Sequence, residues 1–262
     1  MAIPITTTKR PMPPRIGVFG PGGIGKTTIV SKIAGILIMP VEEGADAIEV
    51  PKTPTPKTWD EALQIIDSLI IDAQGYKAFG IDSVTALQDM CFRAVCDEAQ
   101  VASIEAIGYG KGYVRAAELW RDMLGRLSVL RQRMIIVLIG HSATKKHEDP
   151  RLPAYDRLTI RLQVNGQGSG IGPMTVEWLD VLCCAAYQVI VDTEAAGFRE
   201  RTTATGDGTR LLYCQERPAY QAKNRYGLPV EMPFDLVAVI SAIRASLIPA
   251  KPAAPVAAEK AA

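Results

Sequence analysis

A lysine followed by a threonine, Lys26-Thr27, closes the run Gly20-Pro21-Gly22-Gly23-Ile24-Gly25 and completes the pattern G-x-x-x-x-G-K-[ST] at every fixed position. Residues of these types at this spacing hold phosphate. The glycines let backbone N–H groups converge on phosphate oxygens, the lysine reaches the β/γ-phosphates, and the hydroxyl after it ligates Mg²⁺. With Thr28 extending the set, Gly20 through Thr28 are the expected contacts to ATP. A glycine-rich turn with no ligand is the competing reading.

Hydrolysis asks for more than a cradle. Asp82, after the short apolar run Ala78-Phe79-Gly80-Ile81, is placed to share Mg²⁺ with Thr27, although it could also cap a helix beginning at Ser83. Glu42 and Glu43 end the apolar run Ile36–Val41 and offer a base for water, or a pair of solvated charges. His141, between Gly140 and Ser142, ends the run Met134–Ile139, where a polar group would face the γ-phosphate; a satisfied strand-end histidine is the commoner alternative. Lys223 and Arg225, two residues apart on an extended segment, point the same way and are spaced to act on a neighbouring subunit's phosphates; a solvated pair is the alternative. Lys145, Lys146, Arg151, Arg157 and Arg161, with Tyr155 among them, fall in a polar segment from Ala143 to Gly172 that suits a single-stranded backbone track, a plain solvated loop or a kinase-type lid.

These residues need a scaffold, and the chain alternates strand-like with helix-like segments. The phosphate loop lies between a strand at Arg15–Phe19 and a helix expected through Gly35. Strands are expected at 36–41, 77–81 and 134–139, with helices over about 58–73, after Asp82-Ser83 through about Ser103, and over 114–130. Val181–Ala185 reads as another strand, Arg201–Gln215 as a hairpin about Gly206-Asp207-Gly208, and 234–247 as a final helix. The pattern implies an α/β fold with a mostly parallel sheet between helices. Residues 1–14 read as a proline-rich flexible arm, 15–248 as one ATPase domain, and 249–262 as a disordered Pro/Ala tail.

Composition narrows the class. An apolar share of 48% over 262 residues supports a substantial core, and no apolar run approaches the ~18 residues of a membrane-spanning helix. The five cysteines include no C-x-x-C pair, which fits reduced packing residues and a cytoplasmic location. A net charge of +1 moves any nucleic-acid reading to local patches.

Gly20–Thr28, Phe79-Gly80-Ile81-Asp82-Ser83, Ile139-Gly140-His141-Ser142, Glu177-Trp178-Leu179-Asp180 and Ala222–Pro229 together resemble the RecA-like ATPases, most closely the short phage-encoded single-strand annealing recombinases. The run Gly22–Thr28 also looks like the deviant loop of the partition ATPases, but Pro21 stands where those carry an extra lysine. The RecA resemblance implies ATP and Mg²⁺, single-stranded DNA as partner, a cognate single-strand binding protein, and head-to-tail homo-oligomers that bring Lys223 and Arg225 to the next subunit's ATP. It also implies that the water-activating glutamate precedes a glycine, which selects Glu43 before Gly44. A helicase-type motor, a small-molecule kinase and a non-catalytic DNA-binding protein with structural ATP are the competing functions.

Overall fold

Apolar runs bounded by glycine, proline or charge form the strands in the computed structural model, which describes residues 12–247 except 45–46, 167, 197–198 and the side chains of 190–205. The tail at 249–262, and the expected arm as far as residue 11, lie outside the described residues. β1 (Arg15–Gly20) enters the glycine loop and α1 (Lys26–Ser31); β2 (Ile36–Pro40), α2 (Trp59–Ile71), β3 (Ala78–Asp82), α3 (Val84–Glu98), a 3-10 turn (Ile104–Ile107) and α4 (Lys111–Leu130) follow. β4 (Ile135–Asp149) and β5 (Leu152–Ile160) come next, then α5 (Ile171–Trp178), β6 (Val181–Tyr187), β7 (Ile190–Ala196) and β8 (Arg199–Thr205). β9 (Arg210–Tyr213), β10 (Lys223–Asn224), β11 (Glu231–Pro233) and α6 (Leu236–Leu247) complete the described chain.

The main sheet runs β11-β9-β6-β1-β4-β3-β2. Its five strands from β6 to β2 are mutually parallel, so their C-terminal ends, and the loops that follow them, share one edge. Side chains alternate between the two faces. Phe19, Phe79, Ile81, Ile136 and Leu138 pack under α2, α3, α4 and α5, whereas Ile16, Val18, Ile135, Val137 and Ile139 pack under α1 and α6. Burial on both faces is why these strands read as continuous apolar runs. Two helix starts hold the upper edge in place: the Thr58 hydroxyl accepts from Glu61 N–H at the head of α2, and the Ser83 hydroxyl accepts from Ala86 N–H at the head of α3.

Four expectations change. The helix after the phosphate loop stops at Ser31 rather than Gly35, because Ile33 and Ile36 N–H close tight turns on Val30 and Ile33, and Gly35 at φ 70° turns the chain into β2. The helix after Asp82 ends at Glu98 rather than near Ser103, with Gln100 in the left-handed region at φ 53°. The polar segment from Ala143 is not a loop: β4 continues to Asp149 and pairs with β5 through Lys145↔Arg157 and His147↔Tyr155. The expected hairpin about Gly206-Asp207-Gly208 does not form either, since β8 pairs with β7 while β9 joins β6 and β11.

Candidate functional site

β1 ends at Gly20 against β6, so closely that a Cβ there would collide with the carbonyl oxygen of Ala185. The chain then turns through Gly25, left-handed at φ 98°, before α1 begins at Lys26. Both positions need glycine for a physical reason. The Ile24 side chain is fully buried and anchors the loop from below. Around the loop opens a cleft of about 460 Å³, lined by Gly22, Gly23, Gly25, Lys26, Thr27 and Thr28 from the loop and by Glu42, Glu43, Asp82 and His141 from the neighbouring strand ends.

Lys26 is only 7% exposed, and its ammonium donates to the carbonyls of Gly20 at 3.0 Å and Pro21 at 2.8 Å. Burial holds its pKa below the ordinary lysine value, against the opposing charges of Asp82 and Glu42. The Thr27 hydroxyl donates to Asp82 Oδ2 at 2.6 Å. Burial raises the Asp82 carboxyl above its usual range and Glu42 adds to the rise; the Thr27 hydrogen bond and the charges of Lys26 and His141 oppose it. His141 Nε2 lies 3.0 Å from Glu42 Oε1, and its backbone N–H donates to Thr85 Oγ1 at 3.1 Å. Because β4 lies between β1 and β3, it delivers His141 between the glycine loop and Asp82.

Of the two glutamates, Glu42 makes the contact with His141 and bears on Lys26 and Asp82, while Glu43 lines the rim of the same cleft. Lys223 and Arg225 sit elsewhere. Lys223 pairs with Leu182 and the Arg225 N–H donates to the Asp180 carbonyl near the start of β6, about 10 and 17 Å of strand below the level of Gly20. There Lys223 donates to the carbonyls of Val176 and Glu177 at 2.8 and 2.6 Å, and Arg225 to Asp180 at 3.1 Å and to the Glu177 carbonyl. Burial and the Arg225 charge hold the Lys223 pKa down. Asp180, 3% exposed, also takes Arg15 at 2.7 Å and Arg131 at 2.8 Å.

The basic residues after His141 divide. Arg157 is buried, donating to the Tyr220 carbonyl and ion-paired to Glu216 at 2.7 Å, and so is not a free phosphate contact. Lys145 donates to the Leu162 carbonyl and Arg151 is paired to Asp149. Lys146, Arg151 and Arg161 remain exposed. Two residues escaped the sequence reading altogether. Thr85 fixes the His141 backbone, and Arg210, at the start of β9, donates to the Ile24 carbonyl at 3.0 Å.

Residues 12–226 match the AAA domain family. The chain belongs to that family. It is an AAA-type P-loop ATPase domain, a class that binds and hydrolyses nucleotide. No curated protein matches the chain. Among the described residues of this AAA domain, no helix is long and apolar enough to cross a membrane. The family implies a nucleoside triphosphate with Mg²⁺, and the donor set fits both. Thr27 and Asp82 present two hard oxygen donors side by side, and a Cβ at Gly22 or Gly23 would meet no atom within 4 Å, which leaves that flank of the loop open to phosphate.

Proposed function

We propose that this AAA domain is a RecA-like, DNA-dependent ATPase of the phage-encoded annealing type, which binds single-stranded DNA and works as a head-to-tail homo-oligomer. The observation that carries the reading is β4. One strand passes between the two motif strands, presents His141 to the cleft, and continues without a break into the projecting β4–β5 hairpin. Lys146 and Arg151 on that hairpin, and Arg161 just beyond it, are exposed cations for a phosphate backbone.

Within the cleft, Lys26 neutralises charge on the β- and γ-phosphates, and Thr27 and Asp82 hold the metal site. Mg²⁺ bound there would supply further neutralisation of the phosphate oxygens. Glu42 is the better base for water than Glu43, because His141 fixes its carboxylate 3.0 Å away and ties it to β4. Lys223 and Arg225 remain assigned to a neighbouring subunit's phosphates. Their place at the edge opposite the protein's own cleft supports a trans role rather than a cis one.

Steady-state hydrolysis of ATP with and without single-stranded DNA tests the proposal. Stimulation by DNA is expected. Unstimulated turnover together with phosphoryl transfer to a nucleoside acceptor would replace it with the kinase reading.

A further inference from the structure

The groups that would face the γ-phosphate, Glu42, Asp82 and His141, all lie on the β4–β3–β2 side of β1. A triphosphate lying along the glycine loop from that side leads its nucleoside end across β1, toward β6 and β9. On that flank, at the same edge of the sheet, stand Arg210 at the start of β9 and Phe234 just past β11. Strand direction puts them there: β9 runs antiparallel to β6, so its first residue lies at the loop's edge, and β11 runs back to end at that edge.

The two side chains form a built platform. The Arg210 guanidinium lies 4.8 Å from the centroid of the Phe234 ring, and its Nη1 donates to the Ile24 carbonyl. A Cβ placed on Gly25 would sit 2.9 Å from Arg210 Nη1 and 3.6 Å from the Phe234 ring, so the platform touches the loop itself. The guanidinium carbon lies over the ring, and Arg210 is exposed. Directly across the strand pair is Tyr187, on the same face as Arg210 and 47% exposed. A planar cation seated over an aromatic ring and open to solvent can stack another planar group.

We propose that Arg210, backed by Phe234, is the nucleobase subsite of the cleft, stacking the base of a nucleoside triphosphate whose phosphates lie on the glycine loop. The proposal rests on the nucleotide-binding reading of that loop. Stacking reads the face of a base and not its edge, so the subsite favours any nucleoside triphosphate over a bare polyphosphate chain.

Calorimetry on the full chain with two probes, MgATP and inorganic tripolyphosphate with Mg²⁺, tests it. Wild type should bind MgATP more tightly than tripolyphosphate, and Arg210→Ala should lose about tenfold in affinity for MgATP, the scale of one base stack, with tripolyphosphate affinity unchanged. Arg210→Lys keeps a donor for the Ile24 carbonyl but has no plane, and should show the same loss. Because Arg210 is exposed, these variants should still fold, which thermal melting checks. Equal weakening of both probes, or full rescue by lysine, overturns the proposal and makes Arg210 a brace for the loop. An unchanged ratio of the two affinities in Arg210→Ala overturns it too. If wild type binds neither probe, the nucleotide reading itself fails and the subsite with it.

Discussion

Asp82 and Asp180 are both buried, at 6% and 3% exposed, and stand at opposite edges of the parallel part of the main sheet. Asp82 ends β3 beside the glycine loop; Asp180 precedes β6 at the far edge. Their surroundings push their carboxyls in opposite directions. Burial raises Asp82, and the Thr27 hydroxyl, Lys26 and His141 do not cancel it. At Asp180 burial also acts upward, but the hydrogen bonds and charge of Arg15, with Arg131 behind, outweigh it and hold the carboxyl below its ordinary value. The upper carboxylate is left with its burial uncompensated. The lower one is saturated, and it fastens β1, α4 and the segment after β10 to one another.

The contrast can be broken by mutation, and the largest effect belongs to the upper edge. Lys26→Ala should cut hydrolysis about a thousandfold or more, since it deletes the charge aimed at the phosphates, while the fold survives. Steady-state turnover alongside thermal melts checks this, and retained turnover would remove the glycine loop from the chemistry. At the lower edge Asp180→Ala strands three arginines, two of them largely buried, and should cost about 3–5 kcal/mol in urea unfolding. Asp180 has a depressed folded pKa, so its stabilisation is present above the unfolded carboxylate pKa and fades as pH falls through the folded value. Wild type should therefore lose stability in acid and the variant should lose less.

Glu42→Gln should slow hydrolysis about a hundredfold with ATP still bound, and Glu43→Gln should slow it far less. The reverse ranking would return the base to Glu43. Neutralising Lys146 and Arg161 together should reduce the salt slope of single-stranded DNA binding by about 1.4, and an unchanged slope would place the track elsewhere. The smallest effect is a gain. Because the folded pKa of Asp82 is raised, its ionised form opposes folding at neutral pH, and its favourable contribution is lost as pH rises through that value. Asp82→Asn should thus melt slightly higher than wild type at pH 7 without Mg²⁺ while losing turnover; a lower melting temperature would mean that the Thr27 hydrogen bond outweighs burial.

The sheet's interior was legible in sequence for a simple reason. β1, β2, β3 and the first half of β4 are buried on both faces, so apolar residues run unbroken until glycine, proline or charge ends them. The second half of β4 hid itself. Thr144, Lys146 and Glu148 face solvent while Lys145 and His147 are half covered, so the strand alternates in exposure but not in polarity. Non-local pairing hid β9, whose partner β6 lies on the far side of the β7–β8 hairpin in sequence, while the nearby Gly206-Asp207-Gly208 mimicked a local turn. At the site, spacing located the loop, Asp82 and His141. It could not separate Glu42 from Glu43, which differ by one step along a strand exit, nor show that Arg157 is used up by Glu216 and Tyr220. Arg210 carried no motif, since its role depends on where two distant strands end.

β4 also sets how the protein breathes. From Ile136 to Ile139 its backbone is laddered on both sides, by β1 and β3, and amide exchange there is expected to need opening of the sheet. Beyond Ser142 only β5 supports it, and by His147–Asp149 the pairing shifts register. A single strand should therefore span the range from strongly protected amides to fraying ones. His141 sits at the border between the two regimes, where a rigid core gives way to an arm that can open without disturbing it.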